Sequence, residues 1–452
     1  MDILKGSKKI WLFLIAAVVS ATLAVLVLII VQVSGLSDAN ENKTHIERIN
    51  MLTAWGGYSE KNIAMSDIIN AYSDIEPNVS ITNTSLSDEE FYARLSADFS
   101  SGCAADVIIA PPSYDIMSLC RRGYIADLQS EFAKDTKWSD SFDREMFRFV
   151  EGDSGQIFGI PTDVEYVLLY CNKNLFAKYG LSIPKKYSDF LSAVNTFSAS
   201  GVTPVAFGAN DSNLYLYQII TSMFEGEISS GSTSAGLPPQ YMSAMKEMCN
   251  LYIAGAFPRE YSHMSADDAK KMFLDDKAAM IVETNGFIND INHSTSYAEY
   301  TEKYEVIAFP YAKREESKVV FSTVAYNAGD YTIFVNKQAY KNNRNMIMKF
   351  VKYLTNANTL RLYLAQTNDI MPVKDIENKE YKMPLVAKCK IAVGNATKVT
   401  RMPIDITYRY VWSKTIQKRL PDILSGNITA ARALEETMTA NRQIGVCEVS
   451  GQ

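Results

Sequence analysis

Two carboxylates, Asp163 and Glu165, follow directly on Ile160-Pro161-Thr162 and stand at the mouth of the run Tyr166-Val167-Leu168-Leu169-Tyr170. Carboxylates so placed can accept hydrogen bonds from a polar ligand, and a carboxylate pair is also what a glycosidase uses. The second reading depends on a distance in space that sequence spacing does not set. Other signs of catalysis are missing. His45, His263 and His293 are isolated, and there is no H-E-x-x-H, phosphate-binding loop, dinucleotide glycine pattern or G-x-S-x-G elbow. The cysteines (Cys103, Cys120, Cys171, Cys249, Cys389 and Cys447) form no C-x-x-C pair or zinc spacing. They read as mostly free, buried thiols, with Cys103–Cys120 the one locally plausible pair. No catalytic activity, metal or cofactor is therefore expected, and a minority of the 26 tyrosines and 4 tryptophans could stack on a ligand. The plainer alternative for the two acids is a pair of solvated loop carboxylates.

The elements that position these residues can be read in order. Pro161 has no N–H and a fixed φ, so it belongs at a strand's start, and Val164 to Tyr170 reads as a buried strand. Upstream, Ile46 to Ala54 predicts a strand that ends at Trp55-Gly56-Gly57-Tyr58. Ser59 can cap a helix whose apolar face is Met65, Ile68, Ile69 and Tyr72. Val79 to Thr82 is a second strand, Ser87-Asp88-Glu89-Glu90 a capping box, and Asp106 to Ala110 a third strand. This βαβαβ order predicts a sheet covered by helices, with ligands beyond the carboxyl ends of its strands. Farther on, strands are expected at Pro204–Phe207, Ala278–Val282, Tyr304–Phe309 and Tyr331–Val335, a loop at Tyr326–Asp330, and a crossing segment at Asp369–Val373. Helices are expected at Pro184–Ser200, Met242–Ala254, Ala266–Leu274, Met346–Leu354, Tyr408–Leu424 and Thr429–Asn441.

At 452 residues two lobes are expected. The net charge of −6 and the lack of a basic, aromatic-interleaved cluster argue against a nucleic-acid partner. Lys5, Lys8 and Lys9 precede the uncharged apolar run Ile10–Val33, about 24 residues and long enough to span a bilayer. The lysines predict a cytoplasmic N-terminus with the remainder exported. The expected location is the outer face of the cell membrane, or the medium if the segment is cleaved.

Several stretches, in order, resemble family 1 extracellular solute-binding proteins of bacterial ABC importers, the group that includes maltose-binding protein. Ala105-Asp106-Val107-Ile108 followed by Gly123 to Leu128 is similar to the family's "ADV … G-x-L-x-x-L" unit. Gly155 to Pro161 with Tyr170 to Phe176 resembles "GK-x-YG-x-P … YYNK-x-LF". Gly180-Leu181 with Pro184, and Phe273 with Lys277-Ala278-Ala279-Met280, resemble "GL-x-x-P" and "F-x-x-G-K-A-A-M". Asp276 stands where the family usually has glycine, Pro184-Lys185-Lys186-Tyr187-Ser188 replaces the usual Pro-Pro-x-Thr-Trp, and no lipid-anchoring cysteine follows the apolar run.

The resemblance implies an α/β, two-lobe periplasmic-binding-protein-like fold of type II, hinge-connected, behind an N-terminal transmembrane or signal helix. Residues 1–9 are the expected cytoplasmic end, 10–33 the anchor or signal, 34–47 a linker, 48–162 plus 311–372 the first lobe, and 163–310 plus 373–452 the second. It further implies closure on a small-molecule solute, a carbohydrate, and delivery to ABC permease subunits by a monomer. A sensory receptor reporting to a membrane signalling partner is the alternative, and a glycoside-active enzyme on a similar fold is a third. The implied ligand contacts are Glu165, matching a cleft glutamate of the maltose-binding relative; Trp55 and Tyr58 in the first ligand loop; Ser113 and Asp115 after the third strand; Asp211 and Asn213 in a second-lobe loop; Asn285 and Phe287 after "KAAM"; Trp412 as an aromatic platform; Tyr326 on the return crossing; and Asp163 beside Glu165.

Overall fold

The computed structural model describes residues 19–26, 46–152, 154–210, 214–224, 239–294, 297–310, 322–371, 373–376, 383–402, 409–437 and 439. Residues 1–48 with 76–80 form one compact unit, and 49–75 with 81–452 form another, which contains every residue of the candidate site described below. In the first unit the Glu47 N–H donates to Asn78 O (2.9 Å). Of the apolar run Ile10–Val33, residues 19–26 are described and helical. No helix among the described residues is long and apolar enough to cross a membrane.

Two mixed α/β sheets organise the chain. The first has five strands, β1 (Glu47–Thr53), β2 (Val79–Ser85), β3 (Val107–Ile109), β4 (Gly159–Pro161) and β11 (Thr332–Val335), in the order β2-β1-β3-β11-β4. The connections from β1 to β2 and from β2 to β3 are the helices Glu60–Ile75 and Asp88–Ser101. Such crossovers let β1 and β3 pair in parallel, with Met51 opposite Val107. The first helix buries Ala64, Met65, Ile68 and Tyr72, the face its spacing predicts. Ser59 Oγ accepts the Asn62 N–H (3.2 Å) at its start, whereas Ser87 donates to the Glu90 carboxylate (2.9 Å) and makes no backbone cap.

The second sheet is centred on β5 (Val164–Asn172), whose residues are almost all buried, as a strand covered on both faces requires. Its strands include β6 (Thr203–Ala206), β7 (Ala278–Thr284), β10 (Ser322–Ala328) and β12 (Lys398–Arg401), in the order β12-β10-β5-β7-β6. The short β8 (Tyr304–Ile307) and β9 (Phe309–Pro310) pair with β5 and β10. Val167 and Leu169 anchor a core with Phe190, Phe197, Tyr217 and Met248 from the surrounding helices.

Two features depart from expectation. Tyr326–Asp330 is not a loop throughout: Tyr326 to Ala328 complete β10, antiparallel to β5 with Tyr326 opposite Tyr166 and Asn327 opposite Glu165. Thr323, Val324 and Tyr326 are β-branched or aromatic and suit a strand, and pairing with β5 carries that strand on through Asn327 and Ala328. The chain is next found in the first sheet at β11 (Thr332–Val335). The other departure explains a substitution. Asp276 has φ +60°, the left-handed region that glycine occupies at least cost. An aspartate is tolerated because its carboxylate accepts from Asn172 Nδ2 (2.5 Å) and pairs with Lys303 Nζ (2.8 Å).

Between the sheets the chain passes three times. Thr162-Asp163 leads from β4 into β5, Gly329-Asp330-Tyr331 leads from β10 back to β11, and the segment after the helix Ala357–Leu364 runs through Asp369-Ile370. The three are tied together. The Thr162 N–H donates to Tyr331 O (3.0 Å), the Gly329 N–H to Asp163 O (3.1 Å) and the Val164 N–H to Ile370 O (2.8 Å).

Candidate functional site

The crossings carry a compact charge cluster. Asp163, 2 % exposed, accepts the Tyr331 N–H on Oδ1 (2.9 Å). Its carboxyl fills the place of a Cβ at Gly329, where an added methyl would lie 2.2 Å from it, so only glycine fits. Carboxylate oxygens of Asp163, Asp330 and Asp369 lie within 4.8 Å of one another. Lys61, from the first turn of the helix behind the Trp55–Tyr58 loop, reaches Asp330 at 2.6 Å and Asp369 at 3.3 Å. Tyr363 OH donates to Asp369 (2.8 Å). Burial, then repulsion by Asp330, Asp369 and Glu165, pushes the Asp163 carboxyl well above the ordinary carboxylate range against the pull of Lys61. Asp369 is raised too, by burial first and then by Asp330. Burial works against the charge on Lys61, but Asp330, Asp369 and Asp163 more than offset it and hold the ammonium above its ordinary value. The three carboxylates could suit a hard cation, yet Lys61 already supplies the positive charge.

Polar groups of a different character flank this cluster. Trp55, 8 % exposed, sets its ring edge-on to Tyr331 (5.6 Å) and near Tyr363 (6.1 Å), and its indole N–H has no hydrogen-bond partner among the described residues. The Thr367 hydroxyl, two residues before Asp369, is buried and likewise without one. On the second sheet Asn327 is 0 % exposed and neither amide atom has a partner among the described residues. The β10–β5 register sets it on the same sheet face as half-buried Glu165. Buried polar atoms are nearly always satisfied, so such groups mark places where water or a ligand completes the structure. Near them, at the end of β7, Glu283 lines a small pocket with Gly208, Leu214 and Tyr215. Burial raises its carboxyl to about 7, Asp290 and Glu165 adding to the shift and Lys270 opposing it.

Residues 58–358 match the model of the family described as bacterial extracellular solute-binding protein. The chain belongs to that family. A multiple sugar-binding protein of Streptococcus mutans is 21 % identical over 410 residues, covering 86 % of this chain and 88 % of that one. Among solved structures, one from a study of xylan utilisation by Caldanaerobius polysaccharolyticus aligns with a TM-score of 0.71 at 21 % identity, over 87 % of this chain and 99 % of the other. A solute-binding protein of Thermotoga lettingae bound with α-D-tagatose aligns at 0.70 with 16 % identity, over 88 % and 99 %. At these identities the structural matches establish the solute-binding-protein fold.

Within this solute-binding protein the expected contacts separate. Trp55, Glu165 and Asp163 gather at the crossings, while Tyr58, in the same loop as Trp55, is fully exposed. Ser113 caps the helix Tyr114–Arg121 by accepting the Ile116 N–H (3.4 Å), and Asp115 is exposed in its first turn. Three others are committed to the interior. Asn285 accepts the Tyr166 N–H (2.7 Å), Phe287 is 1 % exposed between Tyr170 (5.3 Å) and Phe273 (5.9 Å), and Tyr326 packs edge-on to Phe149 (5.8 Å). Asp211, Asn213 and the Trp412 side chain lie outside the described residues. Sequence reading missed Lys61, Asp330, Asp369, Asn327 and Glu283. A signal existed for Asp330, which follows a glycine between two strands. Lys61 and Asp369 become neighbours only through the fold.

Proposed function

We propose that the protein is an extracytoplasmic receptor for a sugar or oligosaccharide, closing its two lobes on the ligand and presenting it to an ABC importer. The observation that carries this reading is that buried polar groups of both sheets lack partners among the described residues: the Trp55 indole N–H after β1, and the Asn327 amide in β10, opposite Glu165. A saccharide offers hydroxyls that both donate and accept, and an apolar ring face for an aromatic side chain. The sugar-related names of the relatives point to the same ligand class.

The lobes are taken as the two sheets with their helices, exchanging chain at Thr162-Asp163, at Gly329 to Tyr331 and near Asp369. A ligand touching both sides favours the closed form, because only there does it make both sets of contacts. Export and tethering are supported by the lysine-flanked apolar run Ile10–Val33.

Thermal-shift and calorimetric titration of the full chain with tagatose, maltose, melibiose, raffinose, xylo-oligosaccharides and chito-oligosaccharides tests the ligand class. At least one saccharide is expected to raise the melting temperature, and Trp55→Ala to weaken that ligand tenfold or more. Binding of a non-carbohydrate solute, with no saccharide binding, overturns the carbohydrate reading.

A further inference from the structure

Lys61 stands three residues after Tyr58, at the start of the helix that follows the Trp55–Tyr58 loop. Its ammonium is the one cation in ion-pair contact with the crossing carboxylates among the described residues, reaching the second crossing at Asp330 (2.6 Å) and the third at Asp369 (3.3 Å). Asp163 of the first crossing lies within 4.8 Å of both carboxylates. Movement of one sheet against the other about these segments must carry the cluster with it or pull it apart. The same stretch of chain thus carries an aromatic candidate for ligand contact and the cation that holds the crossings.

We infer that Lys61 is a positioning residue for ligand binding: it clamps the three crossing segments into one joint, so that ligand seated at Trp55 is transmitted to the angle between the sheets. The inference rests on the closure reading above and adds to it the residue that sets the joint.

The charges around the joint define what losing Lys61 does. From the helix Glu60–Ile75 comes Lys61 itself, from the first crossing Asp163 with Glu165 two residues on, from the second Asp330 with Tyr331, and from the third side Asp369 with Tyr363 of the helix Ala357–Leu364. Without the lysine the cluster holds acids and phenols only. Its carboxylates then repel one another while ionised, and protonation relieves the repulsion. A lysine that only filled space would show no such dependence on pH.

Hydrogen exchange of the full chain, corrected for intrinsic rates and read at residues 162–164 and 329–331, tests this directly. In Lys61→Met, protection of these amides is expected to fall at least tenfold at pH 7.5 and to recover most of that loss at pH 5. Lys61→Arg is expected to stay near wild type. Lys61→Met/Asp330→Asn, which removes one acid with the cation, is expected to regain protection at pH 7.5 and serves also if the single variant fails to fold. The saccharide that stabilises wild type most should bind Lys61→Met at least tenfold more weakly at pH 7.5 and recover at pH 5. Equal loss of protection at both pH values, no loss at either, or no gain from the second substitution overturns the inference. If none of the saccharides tested binds wild type, the carbohydrate reading fails, and the exchange measurements still decide the role of Lys61.

Discussion

The crossing cluster and the residues flanking it are built on opposite principles. Around Lys61, Asp163, Asp330 and Asp369 the acids and the ammonium are matched by ion pairs, by Tyr363 and by the Tyr331 amide. At Trp55 and Asn327, polar groups are buried and left unmatched. A matched buried network fixes geometry, because moving any member strands another. An unmatched one lowers stability and is retained where something else completes it. Asp163 belongs to the first kind although it stands two residues from half-buried Glu165, so closeness in sequence does not give two acids the same surroundings.

Substitutions can break this contrast or sharpen it. The largest effect is expected at Phe287, which the resemblance assigned to the ligand and the fold commits to the core. Phe287→Ala should cost about 4 kcal/mol in chemical denaturation. A loss below about 1 kcal/mol accompanied by weakened ligand binding would return it to the site. At Gly329, a methyl group 2.2 Å from the Asp163 carboxyl should cost about 3 kcal/mol, and Gly329→Ala/Asp163→Ala should lose less than the two single variants summed.

Protonation gives the next effect. Glu283 at about 7, with Asp163 and Asp369 also raised, means that these three groups bind more protons in the folded chain than in the unfolded one. Their stabilising contribution is full below the unfolded carboxylate values of about 4 and is lost as pH rises through the folded values. Glu283→Gln should therefore be more stable than wild type by about 3 kcal/mol at pH 8 and no more stable at pH 4 in urea titrations. The smallest expected effect separates binding from folding. Asn327→Leu should leave ligand-free stability unchanged or higher while weakening the bound ligand about tenfold, roughly 1.4 kcal/mol. A lower stability with unchanged affinity would mean that the amide is completed by structural water instead.

What the sequence made legible was local. The first three strands announce themselves by apolar runs between turn residues, and β5 and β7 are buried on both faces and contain few other residue types. The residue-by-residue match around Pro161 to Lys173 led to Glu165. β10 escaped because its apolar stretch Val324-Ala325-Tyr326 is short and runs into polar Asn327, and its partners β5, β9 and β12 are known only from the fold. The charge cluster escaped for another reason. Residues 61, 163, 330 and 369 lie in four separate segments, and no periodicity links them before the chain has crossed three times. Burial also separated the residues that family resemblance had grouped: Trp55 and Phe287 are both aromatics beyond strand ends, yet one retains an unmatched N–H and the other is sealed among rings.

The close approach at Gly329 reaches into how such a chain can change over generations. Position 329 can acquire a side chain only after position 163 has given up its carboxyl, and once it has done so the carboxyl cannot return. The order of substitution is therefore constrained at the joint and free a few residues away, where Tyr58 meets only solvent. Descendants of this solute-binding protein are expected to vary at the exposed Tyr58 while inheriting Asp163 and Gly329 together.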